Sequence, residues 1–263
     1  MEVAEFAQNI TFRLLQPNTP RPSGFRALNK VARKAGIHLE MWMTRLPEDQ
    51  EEMQRRLKRA CKLPRTSTFA IGAIINRAVS RMPDQQAYLN IGVGQGFTLF
   101  AGMSGNSHKK CIGVDDLARD TKPRNDFLRR YLRLRSPQHR FWEGDFRDYL
   151  QHEHEGQLGL YVFDGSKSYD EQRQGLELAE PFFGPGCLVL VDDTNWPEIR
   201  EANLDFMKHS RFEYRSLLDI QTPRAGHPTF WNGLMLFERG QLKSSAGFAL
   251  AKNLRIRTQR AAA

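Results

Sequence analysis

Two short stretches of this chain combine residue types and spacings that could do chemistry. In LYVFDGSKSYD an apolar run ends in Asp164, and Lys167 follows three positions later. In CLVLVDD a second apolar run ends in Asp192 and Asp193. Carboxylates are hard oxygen ligands suited to Mg²⁺ or Ca²⁺. Brought together, they repel one another unless a cation sits between them. A lysine beside them becomes a general base near neutral pH only if its pKa, ordinarily about 10.4, falls by about two to three units. Burial and an adjacent metal charge push it down, and neighbouring carboxylates push it up. A metal ion bound to a hydroxyl oxygen would make that hydroxyl easier to deprotonate. Plainer roles compete with these. Asp192 and Asp193 could start a loop or cap a helix, and Lys167 could be a solvated loop residue or a simple partner of Asp164.

A third stretch, NIGVGQGFT, places glycines at 92, 94 and 96. Glycine lets the backbone turn tightly and approach a ligand closely. The residues after it begin a helix, whose free N–H groups suit a carboxylate or phosphate. KKCIGVD then ends in Asp115 about twenty residues further on, where an acid can accept both ribose hydroxyls. These features accommodate a nicotinamide cofactor or S-adenosylmethionine equally well.

The elements that must position these residues show a change of pattern near residue 85. Before it, the Pro-rich QPNTPRPSG is followed by three amphipathic segments. FRALNKVARKAG reads as a helix stopped by Gly36. PEDQEEMQRRLKRAC has acids in its first turn and bases towards its end, matching the helix dipole. TSTFAIGAIINRAVSRM reads as a third helix with Thr66 or Ser67 as N-cap. Beyond residue 85, strand-like runs (AYLNIGV, KKCIGVD, HRFWEGD, LGLYVFD, CLVLVDD) alternate with helical ones. FEYRSLLDIQ and WNGLMLFER follow as two extended runs able to pair antiparallel. Such alternation predicts an α/β fold, a parallel sheet with helices on both faces. Its ligands belong at the carboxyl ends of the strands, near the switch point. The strands ending at Asp164 and Asp192 are expected to be neighbours about 4.8 Å apart, which converges their acids on one edge.

Taken in order, NIGVGQGFT, IGVDD, EGDFRDYL and the run from LYVFDGSKSYD to LVLVDD resemble the class I S-adenosylmethionine-dependent methyltransferases over about residues 85–240. The resemblance implies a Rossmann-like, seven-stranded, mostly parallel sheet in a domain spanning 86–240. A helical extension (1–85) would precede it, and a basic tail (241–263) would follow. It also implies that Gly92, Gly94 and Gly96 hold the methionine part of the cofactor, with Thr98 near its carboxylate. Asp115 would hold the ribose, and Asp145 with Phe146 would border the adenine. One position departs from the pattern: the family usually has an acid where this chain has Asn90. Asparagine can accept a hydrogen bond but lacks the charge that attracts the cofactor's ammonium group. D-x-x-K resembles the catechol O-methyltransferases, which place a lysine base after a metal-binding aspartate. The related sugar O-methyltransferases carry histidine at that place. On this likeness Asp164, Asp192 and Asp193 would bind Mg²⁺, and Lys167 with Asp164 would act on a hydroxyl of a small sugar-like or phenol-like molecule.

Composition limits the other function classes. The net charge of +9 favours anionic partners, with denser basic patches at 55–62, 129–135 and 252–260. A methyltransferase-like module that binds or modifies nucleic acid is therefore the main alternative, although no zinc finger or aromatic RNA-binding signature occurs. A cofactor-binding protein without catalysis is a second alternative, favoured by Asn90. A nicotinamide-dependent oxidoreductase is disfavoured by the strand-end acids and the paired final strands. No run reaches the roughly 18 apolar residues of a membrane span, and the N-terminus lacks a signal-peptide layout, so a cytoplasmic location is the expectation. The three cysteines form no zinc or disulfide pattern, and Cys111 and Cys187, beside apolar strand candidates, are expected to be buried hydrophobes. QHEHEG reads as an exposed loop. His227, Trp231, Tyr169 and Trp196 are candidates to line the acceptor mouth. The extension is expected to cover the site or to make a homodimer contact.

Overall fold

The computed structural model describes residues 1–47, 51–63, 65–117, 121–165 and 167–243. The basic patch at 252–260, and all but the first three residues of the expected tail, lie outside the described residues.

The chain opens with α1 (Val3–Gln8), β1 (Thr11–Phe12), α2 (Phe25–Lys34), α3 (Leu39–Met43), β2 (Thr44–Arg45), α4 (Glu51–Ala60) and α5 (Phe69–Arg81). The expected helices are α2, α4 and α5; α1, α3 and the two-stranded β1–β2 ribbon were not anticipated. They are too short for periodicity to reveal them. The N-cap of α5 is Thr68, whose hydroxyl accepts from the Ile71 N–H, rather than Thr66 or Ser67. The same Thr68 hydroxyl also donates to the Thr229 carbonyl, and this long-range bond was invisible in the sequence. α5 is apolar nearly all round and correspondingly buried, as a helix inside a core must be.

From there β3 (Ala87–Ile91), α6 (Phe97–Met103), β4 (Lys110–Asp115), α7 (Thr121–Leu134), β5 (His139–Glu143), α8 (Phe146–Asp148), β6 (Leu158–Phe163), α9 (Tyr169–Ala179), β7 (Phe183–Asp192), α10 (Pro197–His209), β8 (Phe212–Ile220) and β9 (Leu234–Leu242) build one seven-stranded sheet. The strand order is β5-β4-β3-β6-β7-β9-β8. All pairs through β7 are parallel, and β9 is inserted antiparallel between β7 and β8. The expected α/β class, the seven strands and the antiparallel final pair are all present. Among the described residues no helix is long and apolar enough to cross a membrane.

Alternation along the strands divides the core between the two faces. On β6, Leu160 and Val162 join a cluster that includes Phe6, Leu57, Ile71 and Ile74 of the N-terminal helices. Tyr161 and Phe163 join a second cluster with Ile199 and Phe206 of α10. The first 85 residues thus supply much of the helical layer on one face of the sheet. Register sets the strand ends. Ile91 pairs with Phe163 and Phe163 with Val191, so Gly92, Asp164 and Asp192 leave the sheet side by side. Asp192 also pairs with Leu234, which brings the loop before β9 to the same edge.

QHEHEG is exposed as expected at every position but His154. Tyr149–Glu153 form a π-helical turn, and His154 is buried against the edge of the Phe182 ring. Its Nδ1 lies 3.1 Å from the Tyr149 hydroxyl. This turn precedes β6 and so sits at the opposite end of the sheet from Asp164. All three cysteines are buried and free, and burial pushes the Cys61 and Cys111 thiols up to about 12.

Candidate active site

The glycine turn is held by its neighbours at the centre of the carboxyl edge. Gly92 has φ +76°, and a Cβ there would lie 2.0 Å from the Asp164 carbonyl oxygen. The Gly92 N–H donates to the Val114 carbonyl and the Asp164 N–H to the Ile91 carbonyl, both at 3.0 Å. Only glycine permits this approach, and it welds the turn to the end of β6. Gly96 (φ +99°) precedes α6, and a Cβ on it would meet the Phe100 ring at 2.3 Å. Gly94 differs from both: its φ is +54°, and nothing lies within 4 Å of where a Cβ would be. That open space is a cradle over which a ligand can approach the backbone.

Asp115 closes the other side. Its Oδ2 accepts from the Gly94 N–H at 2.7 Å, and its Oδ1 accepts from the Leu117 N–H at 2.8 Å. Each carboxylate oxygen has a further lone pair, so the group can still accept ribose hydroxyls. These features fit a nucleoside cofactor such as S-adenosylmethionine. Asn90 is fully buried, and its Oδ1 accepts from the Thr98 hydroxyl at 2.7 Å. Asn90 and Thr98, expected near different parts of the cofactor, are thus partners of each other. Asp145 is the N-cap of α8 and pairs with Arg147 at 2.9 Å. Arg147 lies 4.6 Å over the Phe146 ring and reaches Glu171 at 2.5 Å. Sequence reasoning missed Arg147, although its place directly after Asp145 and Phe146 was the available signal.

At the ends of β6 and β7 the acids and the lysine do meet: Lys167 pairs with Asp164, the plainer of its expected roles, and also with Asp193, which was not expected. Lys167 Nζ stands between Asp164 Oδ1 at 2.8 Å and Asp193 Oδ2 at 2.7 Å. Burial tends to lower the lysine's pKa, but the two carboxylates outweigh it, and the net direction is upward. This is opposite to the fall a lysine base would need. Asp192 is turned inward and 5% exposed, and its Oδ1 accepts from the Asp193 N–H at 2.8 Å. Burial, then the Asp164 and Asp193 charges, holds Asp192 well above the usual carboxylate range. Asp193 adopts φ +61°, in the left-handed region that aspartate tolerates better than most residues. Among the described residues no three His, Cys, Asp or Glu gather into a group that could hold a metal ion. The residues as arranged therefore do not fit the expected Mg²⁺ site. An ammonium stands between two of the three acids, and the third is buried and held well above the usual carboxylate range.

The other mouth candidates divide. Trp231 has φ +43° in the loop before β9, and Trp196 is 51% exposed at the start of α10. Tyr169 is engaged elsewhere, donating to Asp205 Oδ2 at 2.7 Å. His227 is buried, with Nδ1 2.7 Å from the Thr229 hydroxyl and Nε2 3.0 Å from the Thr19 carbonyl. Burial pushes its pKa down, so it ties the extension to this loop as a neutral ring. Sequence reasoning also missed Asn195. Its backbone N–H donates to the Asn232 carbonyl at 2.9 Å and its Nδ2 to the Thr222 carbonyl at 2.7 Å, stitching the loop after β7 to the loop before β9.

Comparison with known proteins agrees with this geometry. Residues 89–194 match a family model described as a methyltransferase domain. No curated protein sequence matches the chain significantly. Among solved structures it is similar to cofactor-bound Rv0187 from MTB, with TM-score 0.54 and 14% identity over 84% of this chain and 98% of that one. It is also similar to an O-methyltransferase from Bacillus cereus in complex with SAH, with TM-score 0.52 and 13% identity over 81% and 97%. At such identities the structural likeness speaks to the fold, and the matched domain speaks to the chemistry. That domain lies over the glycine turn and both acid-ended strands, in a sheet with the class I, S-adenosylmethionine-dependent methyltransferase fold.

Proposed function

We propose that this protein moves the methyl group of S-adenosylmethionine to a hydroxyl oxygen of a small molecule at the edge formed by Asp164, Lys167 and Asp193. The observation that carries the proposal is the contact of Gly92 with the Asp164 main chain, which makes the cofactor turn and the acid–lysine group one continuous surface. The cofactor would supply an electrophilic methyl carbon. In the transfer, the acceptor oxygen forms a bond to that carbon as the carbon–sulfur bond breaks, leaving S-adenosylhomocysteine, and the acceptor gives up its proton.

Within this proposal Lys167 acts as a cation. Its charge stabilises the oxyanion that develops on the acceptor, a form of electrostatic assistance. Asp164, 2.8 Å from the ammonium, takes the proton. The metal-assisted version expected from the sequence requires Lys167 to leave its place between Asp164 and Asp193, and no step here is routed through a metal. The N-terminal helices serve as a cap, because His227 and Thr68 fix them to the loop before β9.

Titration calorimetry with S-adenosylhomocysteine and methyl transfer to a hydroxyl panel, with and without chelator, test the proposal. Binding of S-adenosylhomocysteine with product formation on at least one hydroxyl acceptor is expected. Absence of binding overturns the proposal, and transfer confined to nitrogen or carbon acceptors overturns the hydroxyl assignment.

A further inference from the structure

A small cleft of about 40 Å³ opens between α2, α3, the segment ahead of α5 and the loop before β9. Arg33, His38, Glu40, Arg65, Ser67 and Trp231 are among its lining residues. The Arg65 side chain is only 4% exposed and pairs with the Glu40 carboxylate. It also donates to the Leu63 carbonyl at 3.3 Å and to the Cys61 carbonyl. Even so, Arg65 Nε, Ser67 Oγ and His38 Nδ1 are buried with no hydrogen-bond partner among the described residues. Ser67 as a whole is 5% exposed. Buried polar atoms without partners are rare in folded proteins and call for an occupant.

The charge around the cleft indicates the sign of that occupant. Glu40 is the only acid among the described lining residues, against Arg33 and Arg65, and it pairs with Arg65. Burial first, and the Arg33 charge second, push the Arg65 guanidinium down to about 9. Burial also lowers His38, followed by Arg65, Arg33, Lys62 and Lys58. The cleft is therefore short of negative charge, and guanidinium groups recognise planar or tetrahedral oxyanions with several parallel bonds.

Its position ties it to the methyl-transfer edge. The Arg65 guanidinium lies 5.2 Å from the centre of the Phe97 ring, and Phe97 is the first residue of α6, directly after Gly96. Trp231 belongs to the loop that Asn195 stitches to the segment following Asp193. The cleft thus lies between the cofactor turn on one side and the loop behind the acid–lysine group on the other.

We propose that this cleft binds an oxyanionic group, a phosphate or a carboxylate, carried by the methyl acceptor, with Arg33, Arg65 and Ser67 as its donors. That the acceptor bears the group rests on the methyl-transfer proposal; the anion site itself does not.

The test titrates the full chain in chloride buffer with inorganic phosphate in one arm and acetate in the other. Saturable binding of at least one anion is expected, and the stronger arm names the group. Arg33→Glu should weaken that binding at least ten-fold, and Ser67→Ala several-fold. Arg33 is exposed, so its variant should fold; an unchanged melting curve checks this. No saturable binding of either anion, or equal binding by wild type and Arg33→Glu, overturns the site. Methyl transfer is then compared on matched hydroxyl acceptors with and without the acidic group. Arg33→Glu should raise KM at least ten-fold for the acidic member alone; equal KM changes for both overturn its assignment to the acceptor. S-adenosylhomocysteine is titrated separately. Its failure to bind would sink the methyl-transfer proposal and leave the anion measurement standing.

Discussion

The two halves of the sheet's carboxyl edge are built differently. The cofactor half, at the ends of β3, β4 and β5, is made mostly of backbone and of bonds between nearby positions. Gly94 meets Asp115 across 21 positions, Thr98 meets Asn90 across 8, and Arg147 meets Asp145 across 2. The acceptor half, at the ends of β6, β7 and β9, depends on side chains from remote segments. Thr68 reaches Thr229 across 161 positions, and His227 reaches Thr19 across 208. A site of the first kind is specified by a motif. In the second kind, the acid–lysine group forms within its own loops, but the loop before β9 behind it is fixed only once the extension has packed onto the sheet.

The substitution that should damage both halves most is Gly92→Val. Its Cβ would collide with the Asp164 carbonyl in a backbone conformation that β-branched residues avoid. We expect a loss of about 3 kcal/mol or more in denaturant unfolding, with no measurable S-adenosylhomocysteine binding. Gly94→Ala sharpens the contrast, because it meets no atom and should cost only about 1 kcal/mol of stability. It should still weaken S-adenosylhomocysteine at least ten-fold in calorimetry by filling the cradle. Near-native affinity in that variant would show that the cofactor does not sit over Gly94.

Lys167→Met separates the halves. It removes the cation from between Asp164 and Asp193 and should cut methyl transfer at least 100-fold while leaving S-adenosylhomocysteine affinity within about two-fold, a difference of about 3 kcal/mol confined to the transition state. Wild-type turnover by this variant would remove Lys167 from the chemistry. A chelator probes the same place from the other side. With the ammonium bridging the acids, activity should persist in excess EDTA. Abolished activity restored by Mg²⁺ would mean that Lys167 vacates that position during the reaction.

The smallest expected effect on cofactor binding and transfer lies far from both halves, at His154. Burial lowers its pKa from 6.5 to about 4. The unfolded chain therefore binds this proton at a higher pH than the folded one, and the stability it contributes is present above about pH 6.5 and is lost as pH falls towards 4. The loss should amount to about 2–3 kcal/mol in urea unfolding at low pH. His154→Gln should flatten that slope and leave cofactor binding and transfer at neutral pH unchanged. A slope identical to wild type would mean that other buried histidines carry it.

Much of the fold was legible because its signals are periodic and local. Alternating strand and helix patterns gave the sheet, and VFD and LVD ended where apolar runs met acids. The missed elements, α1, α3 and the β1–β2 ribbon, are too short for any period to show. The cap of α5 slipped to Thr68 because TST offers three hydroxyls, and Thr68 is the one that also bonds Thr229. His154 was misjudged because polar neighbours along the chain did not reveal Phe182 packing on it in space.

By itself, then, the sequence determined the order of the strands' residues, the glycine turn and the acids at the strand ends. Each depends on backbone preference or side-chain period within a few positions. Only the tertiary structure decided that Lys167 bridges Asp164 and Asp193, that Asn90 pairs with Thr98, and that Arg65 faces a cleft beside the cofactor turn. Those outcomes depend on which charges and hydrogen-bonding groups end up within about 3 Å of one another, and packing sets that distance, not spacing along the chain.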